Sequence, residues 1–243
     1  PLVSLATNPA KADGNNGIYK SSTMKIILAA QTNDTIYWNL NGNSGSVAGS
    51  KELIPSQGTN VLVYHAEDSA GNVSDEKVFV FTYDSIRPAD VTLTSQASGT
   101  TSMEYLRISG NVTGEGSNSG TKVLLKKSGE VIAKASVKTN GAFDFDGIIL
   151  AEGLNTFTVT AVDLAGNESQ TAVTLTRTLD STAPVLKVEK TDETNYTVTS
   201  NENISVPIVK FNGVVVTEDN IIATPANQSK VFHITTPLPV EGT

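Results

Sequence analysis

The sequence contains no cysteine and only two histidines, His65 and His233, among its 243 residues. The absence of cysteine excludes disulfides, zinc–thiolate sites and a cysteine nucleophile. Neither histidine lies in a recognisable motif, which removes most histidine-based acid–base catalysis and most transition-metal sites. The sequence also has no nucleotide-binding glycine loop, no G-x-S-x-G and no H-E-x-x-H. We therefore expect no enzyme activity within this chain.

Positive charge and long apolar runs are also scarce. The 17 basic residues are outnumbered by 25 acidic ones, giving a net charge of −8. An acidic chain repels phosphate backbones, so nucleic acid is not expected as a partner. The longest apolar run, residues 26–30, is far shorter than the roughly 20 residues that span a bilayer, so membrane insertion is not expected. The start of the chain lacks a signal-peptide pattern, which predicts an internal or processed piece of a longer protein.

Short runs of alternating residues dominate the chain. Valine, threonine and aromatic residues alternate over residues 61–66, 78–81, 156–161 and 173–176, with Gly, Asn, Asp and Ser clusters between them. This pattern is typical of strands in a β-sandwich. No stretch has the apolar spacing of an amphipathic helix. The predicted fold class is all-β.

A repeat divides the chain into modules. Residues 58–74 and 153–169 share the pattern G-x-N, a strand, then D-x-A-G-N-x-S, at an offset of 95 residues. This period suits one immunoglobulin-like sandwich per repeat. The linkers D-S-I-R-P at 84–88 and D-S-T-A-P at 180–184 then place the boundaries. We predict tandem immunoglobulin-like β-sandwiches, with module 1 at 1–87, module 2 at 88–182 and module 3 at 183–243.

Module 3 is predicted to be incomplete. Its last residues, 241–243, match the point that precedes the final hairpin in modules 1 and 2. The third sandwich is therefore expected to lack its last two strands, which would expose a sheet edge and lower its stability.

Module 2 gives the clearest strand pattern. Ser128-Gly129 and Asn140-Gly141 are turn pairs, and the second is a signal for a two-residue hairpin. Seven strands suit a constant-type immunoglobulin sandwich. We predict them near residues 91–95, 103–109, 121–127, 130–137, 142–149, 154–162 and 170–178.

The D-x-A-G-N-x-S hairpins and the D-S-T-A-P linker resemble bacterial Ig-like modules, which occur in tandem in S-layer proteins, in large repetitive adhesins and in accessory regions of secreted glycanases and proteases. The resemblance implies an extracellular or cell-surface location and a non-catalytic structural or adhesive role. Its partners would be neighbouring protein subunits or a cell-wall or surface glycan. The alternative is an accessory binding or spacer region of a secreted polysaccharide-degrading enzyme or protease. The full-length gene would separate the two, because it carries either anchoring repeats or a catalytic domain.

The aspartates of the repeated turns have two interpretations. Asp68 and Asp163 can accept backbone N–H bonds within tight turns. They can also serve as oxygen ligands for calcium, although no EF-hand spacing is present. In a seven-strand sandwich, the loops at 110–120, 138–141 and 163–169 return to the linker end of module 2. We therefore predict a calcium site at the first junction, formed by Asp84, Asp163, Asn167 and Glu115. The second junction, with Asp180, lacks the equivalent hairpin, so we expect no complete site there.

Two further sets of residues have the chemistry of possible sites. Tyr37 and Trp38 are adjacent in a predicted strand, so one of them faces outward and could stack on a sugar ring, although large aromatics are more often core residues. Asp144 and Asp146 share a strand face, with Phe143 and Phe145 on the other. That alternation indicates outside and inside positions, and not a catalytic carboxylate pair.

Overall fold

The computed structural model describes residues 1–114, 120–223 and 229–236. These residues form 21 β-strands and two single-turn 3-10 helices, which confirms the predicted all-β class. In this described part, no helix has the length and apolarity needed to cross a membrane. The chain divides into two compact units, Pro1–Asp180 and Ser181–Thr243.

Module 1 is a sandwich of two β-sheets. Its elements are β1 (Val3–Asn8), a 3-10 turn (Asn15–Gly17), β2 (Lys25–Ala30), β3 (Thr35–Leu40), β4 (Asn43–Ala48), β5 (Ser50–Leu53), β6 (Gly58–Glu67) and β7 (Lys77–Tyr83). The three-stranded sheet has the order β1-β2-β5 and the four-stranded sheet the order β4-β3-β6-β7. The core lies between the sheets, where Ile26, Leu28, Ile36 and Leu62 are fully buried.

Module 2 is a second sandwich in the same unit, with its own core around Phe143, Phe157 and Leu175. Its strands are β8 (Thr92–Leu93), β9 (Thr100–Thr101), β10 (Tyr105–Asn111), β11 (Lys122–Lys127), β12 (Glu130–Ser136), β13 (Ala142–Ile149), β14 (Gly153–Val162) and β15 (Val173–Leu179). One sheet has the order β13-β10-β8 and the other the order β12-β11-β14-β15-β9.

The first strand of module 2 is divided between the two sheets. β8 pairs antiparallel with β10, and β9 pairs parallel with β15. The buried guanidinium of Arg177 donates hydrogen bonds to the carbonyl oxygens of Gln96 and Ser98, in the segment between β8 and β9. The sequence predicts a single strand near 91–95 and does not predict β9.

Two predictions for module 2 are wrong: the constant-type sandwich and the hairpin at Asn140-Gly141. A constant-type sandwich would place the fourth predicted strand, β12, on the sheet of the first, second and fifth strands. β12 pairs with β11, on the sheet of β14 and β15, because the two-residue turn Ser128-Gly129, with φ values of 53° and 87°, joins strands that must be neighbours. The Lys138–Gly141 turn instead carries the chain to the opposite sheet, since β12 and β13 belong to different sheets.

Module 3 consists of a four-stranded sheet and a separate hairpin. Its elements are β16 (Leu186–Lys190), β17 (Asn195–Ile204), β18 (Lys210–Phe211), β19 (Val214–Val215), a 3-10 turn (Glu218–Asn220), β20 (Ile221–Ala223) and β21 (Ser229–Thr235). The sheet has the order β16-β17-β21-β20, and β18 and β19 form the hairpin. Val198, Phe232 and Ile234 form the centre of the core. Residues 241–243, on which the predicted loss of a final hairpin depends, lie outside the described residues.

Candidate functional site

The turn between β14 and β15, residues 163–167, is closed by the Asp163 carboxylate; we refer to it as the Asp163 turn. One carboxylate oxygen accepts the Asn167 backbone N–H at 2.8 Å, and the other accepts the Asn167 side-chain amide at 2.8 Å. Gly166 takes a φ of 89°, a value that side chains disfavour. The D-x-A-G-N pattern thus specifies a rigid turn that projects from the linker end of module 2.

Module 1 docks directly on this turn. A loop before β2, residues 14–20, supplies hydrogen-bond donors that point at three successive carbonyl oxygens of the turn. These bonds are Asn16 Nδ2 to Leu164 O at 3.2 Å, Asn15 N to Ala165 O at 2.8 Å, and Lys20 Nζ to Gly166 O at 3.0 Å. Because two of the three donors are side chains of module 1 and one is its backbone, the contact fixes both position and orientation.

The linker between the modules is held by the same turn. The Asn167 side-chain amide donates to the backbone carbonyl oxygen of Asp84 at 2.9 Å and to that of Ile86 at 3.3 Å. Asn167 therefore bridges the Asp163 carboxylate within module 2 and the exit of module 1. A side-chain amide is suited to this role because its two N–H groups can donate in different directions.

Two glycines permit the close approach of the modules. A Cβ atom at Gly14 would lie 2.6 Å from the Ala165 carbonyl oxygen and 2.8 Å from that of Ile18. A Cβ atom at Gly166 would lie 2.8 Å from Asn15 Nδ2. All three distances are shorter than van der Waals contact allows, so neither position accepts a larger residue without a shift at the junction.

Asp84 lies in an unfavourable electrostatic environment at this junction. Burial raises the pKa of its carboxyl group above the ordinary value, and the nearby negative charge of Asp163 raises it further. The Ile86 backbone N–H donates to the Asp84 carboxylate at 3.1 Å, which partly offsets both effects. The two carboxylates are thus close enough to repel each other.

The structure brings together three of the four residues predicted as calcium ligands: Asp84, Asp163 and Asn167. The fourth, Glu115, lies outside the described residues. Across residues 1–114, 120–223 and 229–236, no group of three or more His, Cys, Asp or Glu side chains is placed to hold a metal ion. Calcium binding itself stays a prediction, because a site here would depend on carbonyl oxygens beside the Asp84 and Asp163 carboxylates.

A polar cleft of about 560 Å³ runs along the junction. Lys20 and Arg87 contribute positive charge, Asp13 and Glu168 negative charge, and serines most of the remaining surface. The Asp13 carboxylate accepts the Lys20 backbone N–H at 2.8 Å, which orients the loop that docks on the Asp163 turn.

The part that module 1 contributes to the junction is not predicted from the sequence. The repeat points to Asp163 and Asn167, but no pattern assigns Gly14, Asn15 and Lys20 to the contact. The run Asp13-Gly14-Asn15-Asn16-Gly17 was a usable signal, because such residues form tight surface turns. What this loop touches depends on a partner about 150 residues away along the chain, and no local pattern reports that.

A second candidate surface lies on the outer face of the β4-β3-β6-β7 sheet. The rings of Tyr37 and His65, cross-strand neighbours on β3 and β6, stack with centroids 5.0 Å apart and an interplanar angle of 13°. A hydrogen bond to the Glu67 carboxylate raises the pKa of Tyr37. The stack lines a shallow cleft of about 330 Å³, whose other residues include Asn39, Ser44, Ser46 and Glu76.

Trp38 points the other way from Tyr37 and packs against the core of module 1. Its ring lies across Gly45, where a Cβ atom would come within 2.9 Å of it, and the Lys51 ammonium sits 5.3 Å from the ring centroid. Tyr37 is therefore the outward member of the pair, whereas Trp38 is a partly buried residue that packs against the core and also lines the cleft.

The paired acids of module 2 are engaged in ion pairs. Lys138 Nζ lies 2.6 Å from the Asp144 carboxylate and lowers its pKa, while Arg107 Nε lies 3.0 Å from that of Asp146. Phe143 and Phe145 are buried on the opposite face of the strand. The predicted alternation of outside and inside positions is confirmed.

The middle of the chain matches a known family. Residues 89–179 match the model of the family described as "Glucodextranase, domain B". Together with the sandwich topology, this match confirms the resemblance to tandem bacterial Ig-like modules. A search of curated proteins gave no match.

Several solved structures are similar to the chain at low identity. The fibronectin(III)-like modules of Clostridium thermocellum CbhA are 16% identical, with a TM-score of 0.43; the alignment covers 73% of this chain and 94% of theirs. A Ca2+-stabilized adhesin from an Antarctic bacterium, which helps it bind ice, is 18% identical, with a TM-score of 0.38 and coverage of 100% and 75%. The D1–D4 ectodomain fragment of ICAM-5 is 15% identical, with a TM-score of 0.48 and coverage of 100% and 72%.

Proposed function

We propose that the chain is a non-catalytic structural region of a bacterial cell-surface protein, of the S-layer or adhesin type, in which its modules act as spacers. The observation that carries the proposal is the junction of modules 1 and 2. A spacer must hold its neighbours in a fixed orientation. The donors at Asn15, Asn16 and Lys20 and the bridging amide of Asn167 meet this requirement. The partners would be neighbouring protein subunits or surface glycan, outside the cell.

The chemistry of the acidic residues supports a non-catalytic role. Asp68, Asp163 and Asp192 close turns by accepting N–H groups of nearby asparagines. Asp144 and Asp146 hold basic side chains. Carboxylates used in this way have little freedom to act as a general acid or base.

The absence of cysteine allows a direct test of the spacer role. Thr59→Cys in module 1 and Glu130→Cys in module 2 place single thiols at exposed positions for spin labelling of the full chain. We expect one narrow distribution of distances between the labels by pulsed electron paramagnetic resonance. A broad distribution, as two freely jointed modules would give, would overturn the proposal.

Calcium at the same junction is a separate proposal. Burial is the largest cause of the raised pKa of the Asp84 carboxyl group, and repulsion from the Asp163 carboxylate adds to it. A divalent cation between them would remove that repulsion, and the carbonyl oxygens of the linker are suitable further ligands. Because the hydrogen bonds from module 1 already join the modules, calcium would stiffen the junction without being required for it.

The second candidate function is an accessory glycan-binding region of a secreted polysaccharide-degrading enzyme. The Tyr37–His65 stack favours it, because aromatic rings beside a polar cleft can pack on sugar rings. The family match over residues 89–179, which is described as a domain of glucodextranase, is compatible with the same role. Binding of soluble polysaccharides to the full chain tests this candidate.

A further inference from the structure

Module 1 carries its own copy of the turn on which it docks in module 2. This copy, residues 68–72, is referred to as the Asp68 turn. Asp68 accepts the Asn72 backbone N–H at 2.9 Å and the Asn72 side-chain amide at 2.9 Å. Gly71 has a φ of 81°, close to that of Gly166.

The residues that flank the two turns are also arranged alike. Ser74 Oγ accepts the Ala66 N–H at 2.9 Å, and Ser169 Oγ accepts the Ala161 N–H at 3.1 Å. The two turns are thus nearly the same structure presented at the same end of two sandwiches.

The surroundings of the two turns differ. In the Asp163 turn, Ala165 is fully buried because module 1 covers it. In the Asp68 turn, Ala70 and the residues on either side of it are exposed. The amide of Asn72 donates to the Asp68 carboxylate, whereas that of Asn167 donates both to its aspartate and to the linker. The Asp68 turn therefore presents the surface that the Asp163 turn uses for docking.

The contacts that module 1 makes with the Asp163 turn indicate which groups a partner of the Asp68 turn must supply. Its carbonyl oxygens receive one backbone N–H, one amide and one ammonium group, and its asparagine donates to two carbonyl oxygens of an extended linker. A partner for the Asp68 turn must offer the same set. Within this chain, that set belongs to a loop like residues 14–20 together with a D-S-x-x-P exit linker.

We propose that the Asp68 turn is a docking surface for a further immunoglobulin-like module that precedes module 1 in the way module 1 precedes module 2. The partner's exit linker binds the amide of Asn72. The partner's loop equivalent to residues 14–20 binds the carbonyl oxygens of residues 69–71. The D-x-A-G-N turn is then the repeating connector of the array. This inference deepens the proposed spacer function and rests on it.

The experiment adds a second copy of residues 1–88 directly before residue 1 of the full chain. Pro88 then precedes Val3 by three residues, as it precedes Val91 in the natural linker. Thr59→Cys in both copies of module 1 allows spin labelling. We expect a distance distribution between these labels as narrow as that between modules 1 and 2.

Variants in the added copy test the specific contact. Lys20→Met removes the ammonium group that would bind the Gly71 carbonyl oxygen, and it should broaden the distribution. Lys11→Met removes an exposed lysine on the same module and should leave the distribution unchanged. A broad distribution of label distances in the fusion without further substitutions would overturn the proposal. A narrow distribution that Lys20→Met leaves unchanged would also overturn it. Failure of the spacer function itself would be seen separately, as a broad distribution between modules 1 and 2 of the natural chain.

Discussion

The side-chain amide of Asn155 donates a 2.7 Å hydrogen bond to the backbone carbonyl oxygen of Ala151, inside a site where Asn155 is 1% exposed. Its amide oxygen in turn accepts the Ala151 N–H at 3.0 Å and Lys127 Nζ at 3.1 Å. Asn60 makes the same pair of bonds with Ser56 in module 1. The G-x-N pattern before each long strand thus encodes a buried asparagine that ties the preceding loop to the strand.

Replacing Asn155 should be strongly destabilising. Asn155→Ala leaves the Ala151 backbone groups and Lys127 without their buried partner, so we expect a loss of about 2–4 kcal/mol in the free energy of unfolding. Thr156→Ala, at the exposed next position of the same strand, should change it by less than about 0.5 kcal/mol. Denaturant unfolding measures both, and equal losses for the two variants would contradict the role assigned to Asn155.

The carboxyl groups of Asp84 and Asp90 should have opposite effects on the pH dependence of stability. Burial and the charge of Asp163 raise the pKa of Asp84, so its ionisation opposes folding as the pH rises above the unfolded value. The Thr171 N–H, donated at 2.8 Å, lowers the pKa of Asp90, so its ionised form favours folding until the pH falls through the folded value.

We therefore expect Asp84→Asn to raise the melting temperature at about pH 7 and Asp90→Asn to lower it. Both differences should shrink towards about pH 3, where carboxyl groups become protonated. Calorimetry at the two pH values measures the effect. A melting temperature that falls in Asp84→Asn at neutral pH without calcium would show that the Asp84 charge stabilises the junction.

Calcium should reverse the effect of Asp84→Asn. Without the ion, the neutral variant is expected to be the more stable protein, because one of two repelling carboxylates is removed. With calcium bound, the wild type should become the more stable one, because the variant loses a ligand and part of the binding free energy. Titration calorimetry should detect calcium binding to the wild type and weaker binding to the variant. Undetectable binding to the wild type at millimolar calcium would rule the site out.

Glycan binding, if module 1 provides it, should depend on Tyr37. Tyr37→Ala removes the outward ring of the Tyr37–His65 stack and should abolish retardation in gels that contain the recognised polysaccharide. Tyr105→Ala removes another exposed tyrosine, on module 2, and should leave the retardation unchanged. Unaltered mobility of the wild type in gels with α-glucans, β-glucans and cell-wall polysaccharides would count against an accessory binding role.

Most strands of module 2 could be predicted to within a few residues because alternation marks them, whereas β11 is marked by three consecutive buried apolar residues, 123–125. Thr156 and Thr158 alternate with buried Phe157 and Val159 along β14. β9 could not be predicted, since a two-residue strand has no period to detect. Its pairing depends on β15, about 80 residues away.

Only the contribution of module 2 to the turn contact at the junction could be predicted from the sequence. Strand direction placed Asp163 and Asn167 at the linker end, and the structure places Asn167 against Asp84. The loop of module 1 that completes the contact follows from the angle between the modules. That angle results from packing and not from any local sequence pattern. The role of Lys20 therefore could not be predicted from the sequence.

Three glycine variants should separate the strain of the turn from the contact between modules. Gly71→Ala places a side chain at a φ of 81°, in ordinary contact with the Glu67 carboxylate at 4.0 Å, so it should cost about 1–2 kcal/mol without affecting the junction. Gly166→Ala has the same backbone strain, and its Cβ also meets the amide end of Asn15, which can rotate away. Gly14 has an ordinary extended backbone, but its Cβ would meet the carbonyl oxygen of Ala165, which cannot rotate away. Gly14→Ala should therefore broaden the distance distribution between modules 1 and 2 most, Gly166→Ala less, and Gly71→Ala not at all. The reverse order would show that the close approach at Gly14 does not hold the modules together.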